Sequence, residues 1–168
     1  MLDSISKLAL KDPDLLRQAN YIDGQWVKAD SGKVLEVKNP ATGELVGTIP
    51  AMGQAETRRA IEAAHAAWPA WRAMLANERA AILKKLAALM LANTEDLAAI
   101  MTAEQGKPYA EAKGEVAYAA SFIEWFAEEA RRVNGETIPQ NAKGRRILVT
   151  KEPVGVFAAI TPGTSRPR

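Results

Sequence analysis

Along this chain the spacing of apolar positions changes character twice. Over the first fifty residues it runs in short β-favouring stretches: Tyr21-Ile22 and Trp26-Val27 flank Asp23-Gly24, and Leu35–Lys38 and Leu45–Ile49 flank Asn39-Pro40-Ala41-Thr42-Gly43. An Asp-Gly pair between such stretches predicts a type I′ turn, because both central residues need positive φ. Two hairpins follow, with four strands expected to share one small sheet. Ahead of them, Leu8, Leu15 and Leu16 predict a short helix split at Pro13, a residue that breaks helices.

From Gln54 the period becomes helical. Ile61, Ala64, Trp68, Trp71 and Leu75 step by threes and fours, and Pro69 is expected to kink or break that helix. A second helix is predicted from Asn77, as its N-cap, with Ile82, Leu86, Leu89 and Met90 inward. Thr94 with Glu95 and Asp96 predicts the start of a third, and Gly106 and Pro108 its end. The fourth and longest repeats Ala112, Val116, Ala119, Ile123, Phe126, Ala130 and Val133, with Gly135 as its stop. At about 1.5 Å per residue, the span from Ala110 to Val133 is roughly 35 Å.

Beyond the helices, 145–151 predicts an exposed strand, and Pro153-Val154-Gly155-Val156-Phe157-Ala158-Ala159-Ile160-Thr161-Pro162 is apolar throughout. A strand apolar on both faces belongs in a parallel sheet, whose ligands sit at the carboxyl ends of its strands. That places Thr161 and Pro162 at a ligand. Only six residues follow, too few for the crossover a parallel partner strand requires.

Composition narrows the function classes. A chain of 168 residues that is 48% hydrophobic and 25% charged is globular, and a net charge of +2 argues against a nucleic-acid surface. No apolar run reaches membrane-span length and the first residues do not read as a signal peptide, so a cytoplasmic location is expected. The chain has no cysteine, which removes disulfides, thiolate metal ligands and thiolate nucleophiles together.

Several candidates for chemistry have plainer readings. His65 lacks a second metal ligand one turn away and reads as a boundary residue. Gly106-Lys107 lacks the earlier glycine and the following hydroxyl of a phosphate loop. Glu128-Glu129 with Arg131-Arg132 reads as a solvated face with i,i+3 pairs. Trp125 lies off the apolar stripe and fits either core or the wall of a substrate channel, whereas Phe126, on the stripe, reads as core filler.

Tyr21-Ile22-Asp23-Gly24-Gln25-Trp26, Asn39-Pro40-Ala41-Thr42-Gly43, Glu104-Gln105-Gly106-Lys107-Pro108, Phe122-Ile123-Glu124-Trp125-Phe126-Ala127-Glu128-Glu129 and Pro153-Val154-Gly155-Val156 occur in that order. Over residues 1–162 the chain resembles the aldehyde dehydrogenase family, and within it the NAD(P)-dependent succinate-semialdehyde dehydrogenases. The resemblance implies an α/β fold, here its N-terminal portion: hairpins and about four helices over 1–142, an oligomerisation-type strand over 143–152, and over 153–162 the first parallel strand of an incomplete Rossmann-like cofactor domain. Residues 163–168 form a non-family tail. It implies NAD or NADP as cofactor of the intact enzyme, not bound by this chain alone, and a small carboxylate-bearing aldehyde as substrate. Ile160, Thr161 and Pro162 match positions lining the cofactor; Trp125 and Phe126 match the helix beside the substrate channel. The family's catalytic cysteine and glutamate fall beyond position 168, so the chain is expected to be inactive alone. The alternative is a non-catalytic helical interaction module that pairs with a full-length homologue through Arg145–Lys151.

Where the family continues Trp-Asn-Phe-Pro after Pro162, this chain has Gly163 and Thr164. Deleting one T from CCG TGG AAC TTC CCG GCC GCG ATG ATC gives codons for Pro-Gly-Thr-Ser-Arg-Pro-Arg and a stop, which matches Pro162–Arg168. A frameshift is therefore expected at this point. Sequencing the DNA past the stop codon should reveal dehydrogenase sequence in a second frame; its absence refutes the frameshift.

Overall fold

The computed structural model describes residues 8–160; Thr161, Pro162 and the 163–168 tail, expected above to meet a ligand or to depart from the family, lie outside the described residues, as do 1–7. Among the described residues the architecture is α/β, with four helices and three antiparallel two-stranded sheets. β1 (Asn20–Ile22) and β2 (Gln25–Val27) turn at Asp23 and Gly24, with φ of 50° and 76°, the positive pair that the sequence requires. β3 (Val34–Lys38) pairs with β4 (Leu45–Pro50), with a register shift at Val37/Lys38.

The four strands do not share a sheet, contrary to expectation. The link between the hairpins is held instead by α1 (Gln54–Ala73): Asp30 N–H donates to Glu56 at 3.0 Å, and Arg59 grips the Asp30 carboxylate with two bonds of 2.7 Å. The Leu8–Leu16 stretch is reduced to one 3-10 turn, Pro13–Leu15.

α1 runs through Pro69 without ending there. Proline removes one backbone donor, and the helix tolerates the loss. Its predicted stripe is present but uncovered, with Ile61, Trp71 and Leu75 exposed. α2 (Ala76–Ala92) starts one residue before Asn77, and its first turn is closed by Glu78, whose carboxylate accepts from Leu75 N–H at 2.7 Å. α3 (Thr94–Gln105) ends at Gly106 in the left-handed region, φ 73°, as expected.

α4 (Tyr109–Glu129) gives way to a 3-10 turn at Ala130–Arg132. Gly135 does not cap it. A Cβ there would lie 2.3 Å from the Val149 carbonyl oxygen, so glycine admits the backbone of β6 (Ile147–Val149) beside β5 (Glu136–Ile138). Strand β5, three residues long and followed by Pro139, was not foreseen.

The core differs most from expectation. Its buried residues are small: Ala80 and Ala87 on α2, Ala98 and Ala103 on α3, and Ala112, Val116, Ala120 and Ala127 on α4. Ile82, Leu86 and Leu89 are exposed, as is Phe126; Ala120 and Ala127 take the places assigned to Ala119 and Phe126. Small side chains let the helices pack closely, so the buried face follows the alanines rather than the bulky residues.

Residues 153–160 form no strand, and every side chain among them is exposed. A strand is completed by hydrogen bonds to a neighbour, and among the described residues no parallel strand lies beside this run. Residues 147–149 supply the strand expected in 145–151, shorter than foreseen.

The N-terminal segment is fastened by Asp96, a buried carboxylate that accepts from Lys11 N–H at 3.0 Å and Asp12 N–H at 2.8 Å. Those two amides hold its carboxyl below the ordinary range. A depressed folded-state value means that the contribution is present above the unfolded carboxyl value of about 3.9 and is lost as pH falls through the lower folded value. Amide exchange at Lys11 and Asp12, corrected for intrinsic rates, should therefore accelerate selectively below about pH 3.9, and Asp96→Asn should produce the same acceleration at neutral pH.

Candidate functional site

Helix α4 carries two apolar faces. Ala112, Val116, Ala120 and Ala127 occupy the buried one, while Tyr118, Phe122, Trp125 and Phe126, spaced by fours and threes, occupy the opposite one. The helix forms as one piece because Pro108 precedes it and its interior lacks proline. Its outer aromatic face borders a hollow of about 330 Å³, lined by Tyr118, Ser121, Phe122, Trp125 and Phe126. Tyr118 and Phe122 meet edge to face, with centroids 4.8 Å apart.

Trp125 and Phe126 thus lie together, at 64% and 60% exposure, so neither is core among the described residues, which corrects the core reading of Phe126. Their partners Tyr118, Ser121 and Phe122 were missed. The signal was available as an aromatic recurrence at i, i+4, i+7 and i+8. Chemically the hollow offers apolar and aromatic contact with two hydroxyls, the Tyr118 phenol and the Ser121 alcohol, whose Oγ donates to the Tyr118 carbonyl at 2.7 Å. It can orient an apolar stem, but it offers neither a carboxylate nor an imidazole for proton transfer.

The other candidates stay apart. Ile160 is exposed at the end of the described chain. His65 is exposed on α1, and no group of three or more metal-ligating side chains is gathered among the described residues. Lys107 is buried and bonded to Glu115 at 2.6 Å, so its ammonium is turned inward. Glu128 pairs with Lys84 of α2 at 2.5 Å, which holds its carboxyl low, while Glu129 pairs with Arg132 at 2.7 Å. Only the second is the i,i+3 pair foreseen.

The dinucleotide that the resemblance implies needs free amides at a helix N-terminus or a glycine-rich turn for its pyrophosphate. Here the Gly53 and Leu75 amides at the starts of α1 and α2 donate to Glu56 and Glu78 of the same helices. The described residues do not compose a dinucleotide cradle.

A second hollow, of about 600 Å³, lies at the β5–β6 hairpin, with Ile138, Gln140, Arg145, Arg146 and Ile147 on its walls. Among the described residues each strand of this pair has one neighbour, so each leaves an edge of backbone donors and acceptors open.

Residues 26–162 match the model of the aldehyde dehydrogenase family. The chain is 61% identical over 155 residues to a glutarate-semialdehyde dehydrogenase of Pseudomonas putida, covering 92% of this chain and 32% of that protein. It is 54% identical over 155 residues to the succinate-semialdehyde dehydrogenase (NADP(+)) of Escherichia coli, with the same coverage. The crystal structure of a succinate-semialdehyde dehydrogenase from Burkholderia pseudomallei superposes with a TM-score of 0.86 at 61% identity, over 88% of this chain and 30% of that one. The chain thus spans about a third of the length of the curated relatives it matches.

The two faces of α4 should respond oppositely to substitution. Phe126→Ala should lower unfolding free energy by less than about 1 kcal/mol, against the roughly 3–5 kcal/mol of a buried phenylalanine, whereas Ala120→Leu should cost about 1–3 kcal/mol by overpacking. Urea denaturation of both variants checks this, and a larger loss for Phe126→Ala contradicts the assignment of faces.

Proposed function

The chain belongs to the aldehyde dehydrogenase family, and from that premise we propose that it is the N-terminal third of an oxidoreductase that converts a small semialdehyde to its carboxylate, with hydride passing to NAD or NADP. The observation that carries this reading is the shared fold and 61% identity with the Burkholderia succinate-semialdehyde dehydrogenase, over nearly the whole described chain. Glutarate- and succinate-semialdehyde relatives match comparably, which supports a short aldehyde with a distal carboxylate as the proposed substrate.

On this reading Trp125 and Phe126 wall the passage taken by the aldehyde, with Tyr118 and Phe122 extending the wall, and Ile160, Thr161 and Pro162 border the cofactor in the intact enzyme. The intact enzyme acts in the cytoplasm; among the described residues no single helix is long and apolar enough to cross a membrane. The chain by itself is inactive. A thioester route needs a thiolate, and the chain has no cysteine to provide one.

A second reading is favoured by the open edges of β5 and β6: a non-catalytic module that pairs with a full-length homologue through 145–151. Size-exclusion chromatography of the chain with full-length Escherichia coli enzyme should then show a mixed complex of defined mass, abolished when Leu148→Pro removes a strand donor; separate elution excludes it. For the principal reading, the purified chain with succinate semialdehyde and either NAD or NADP should give no absorbance rise at 340 nm above the blank. Measurable turnover would refute the inactivity.

A further inference from the structure

Of the asparagines in the chain, Asn134 alone is followed by glycine. That order has a chemical consequence. A main-chain nitrogen can attack the carboxamide of the asparagine before it, and glycine, with no side chain and wide backbone freedom, hinders the approach least. The surroundings of Asn134 permit the attack. The chain leaves the 3-10 turn at Ala130–Arg132 through Val133, whose φ of −76° and ψ of 66° are those of an inverse γ-turn, and the Asn134 N–H donates back to the Arg132 carbonyl at 2.8 Å. Asn134 and Gly135 then lie exposed between that turn and β5. Among the described residues, neither the Asn134 carboxamide nor the Gly135 amide makes a hydrogen bond. The other asparagines are held differently. Asn39 precedes a proline, which has no N–H; Asn20 lies in β1 and Asn77 in α2; the Asn93 carboxamide donates to the Leu89 carbonyl at 2.8 Å. Asn141 is exposed, but the residue after it is Ala142, whose side chain crowds the attacking nitrogen.

We propose that Asn134 is a self-modification site, at which the folded chain converts to isoaspartate through a cyclic imide and thereby loosens the β5–β6 hairpin. The Gly135 nitrogen bonds to Cγ of Asn134, the Cγ–Nδ2 bond breaks, and the Gly135 amide proton leaves with Nδ2 as ammonia. Solvent water then opens the imide. Cleavage between Cγ and the Gly135 nitrogen leaves aspartate, whereas cleavage between the main-chain carbonyl carbon and that nitrogen leaves isoaspartate, with the main chain rerouted through Cβ and Cγ. The second product is longer by one methylene. The hairpin has no room for it: a Cβ on Gly135 would sit 2.3 Å from the Val149 carbonyl oxygen, and pairing begins at the next residue, with Glu136 opposite Val149. Lengthening the chain just before Gly135 drives it against that oxygen or shifts the register of a strand three residues long. The chemistry is independent of the family to which the chain belongs.

The test is incubation of the folded 168-residue chain in mildly alkaline buffer, with tryptic cleavage, mass spectrometry of residues 133–143, and methylation by an isoaspartyl methyltransferase to read isoaspartate. The expected result is a gain of about one dalton at Asn134, at least about tenfold faster than at Asn141 and within about tenfold of the rate in the free 133–143 peptide, together with methyl incorporation. Amides of β5 and β6 should exchange at least about tenfold faster in the isoaspartate form, whereas Asn134→Asp, which adds the charge without the methylene, should leave them within about twofold of the original chain. Asn134→Ser should remove the methyl acceptor. A gain in the folded chain more than about tenfold slower than in the peptide, a gain without methylation, or hairpin protection unchanged by isoaspartate overturns the proposal. Equal loosening by Asn134→Asp overturns it as well, because charge alone would then open the hairpin.

Discussion

The close approach of α4 to α2 and α3 over alanine side chains is the contact on which the described chain depends. Ala80 and Ala87 face inward from α2, Ala98 and Ala103 from α3, and Ala112, Ala120 and Ala127 from α4, with Val116 as the largest residue among them. α4 makes the broadest contact with each of the other two, so it is the shared element of the helical layer. Small residues at such a seam bring backbones near each other, and many weak dispersion contacts accumulate there. A seam without bulky side chains has no flexible group to absorb an added methylene, so its geometry is sharply defined.

The same choice dictates what is left outside. Because alanines take the inner positions, the bulky apolar residues of α2 and α4 project outward: Ile82, Leu86 and Leu89 on one, and Tyr118, Phe122, Trp125 and Phe126 on the other. Clustered exposed apolar side chains such as those of α4 mark surfaces that ordinarily meet something. Polar contacts do the fastening that side-chain bulk does elsewhere. Buried Glu56 takes amides from Asp30 and Gly53, and buried Asp96 takes those of Lys11 and Asp12, each tying a loop to the start of a helix. Hydrogen bonds to an ionised carboxylate are stronger than those between neutral groups, which suits them to hold segments with little apolar area of their own.

Local chemistry was legible in the sequence and packing choice was not. Asp23-Gly24 announces its turn because few other pairs accept two successive positive φ values, and Gly106 announces a helix end for a similar reason. The inward faces were misassigned because α2 and α4 each carry two apolar stripes, and ranking by bulk selects the wrong one. Helical periodicity reports that a face is apolar; it does not report which neighbour arrives. Pro69 shows the converse, a strong local signal overridden by a helix that continues on either side. The Trp125 and Phe126 pair was readable as a feature of α4, but Tyr118 and Phe122 joined it only once the outer face was known. The strand expected over 153–162 was inferred from a composition that requires neighbours, and the described residues include none beside it.

These placements bear on what this third of an aldehyde dehydrogenase can contribute to catalysis. Several of its charged groups are paired with one another: Lys113 and Tyr109 with Glu95, Lys107 with Glu115, Lys84 with Glu128, Arg59 with Asp30 and Arg72 with Glu152. A carboxylate held low by a cation, as Glu95 and Glu128 are, is a weak base for abstracting protons. On the proposed reading, a chain without a thiol contributes shape to the site. The alanine seam then acquires a role beyond stability on the proposed reading, because it fixes the inner face of the same helix whose outer face is the aromatic wall. A wall of side chains orients a substrate only as well as its backbone is held, and misplacements of about 1 Å are enough to lower rates substantially. Packing on one side of α4 thereby sets the tolerance of recognition on the other.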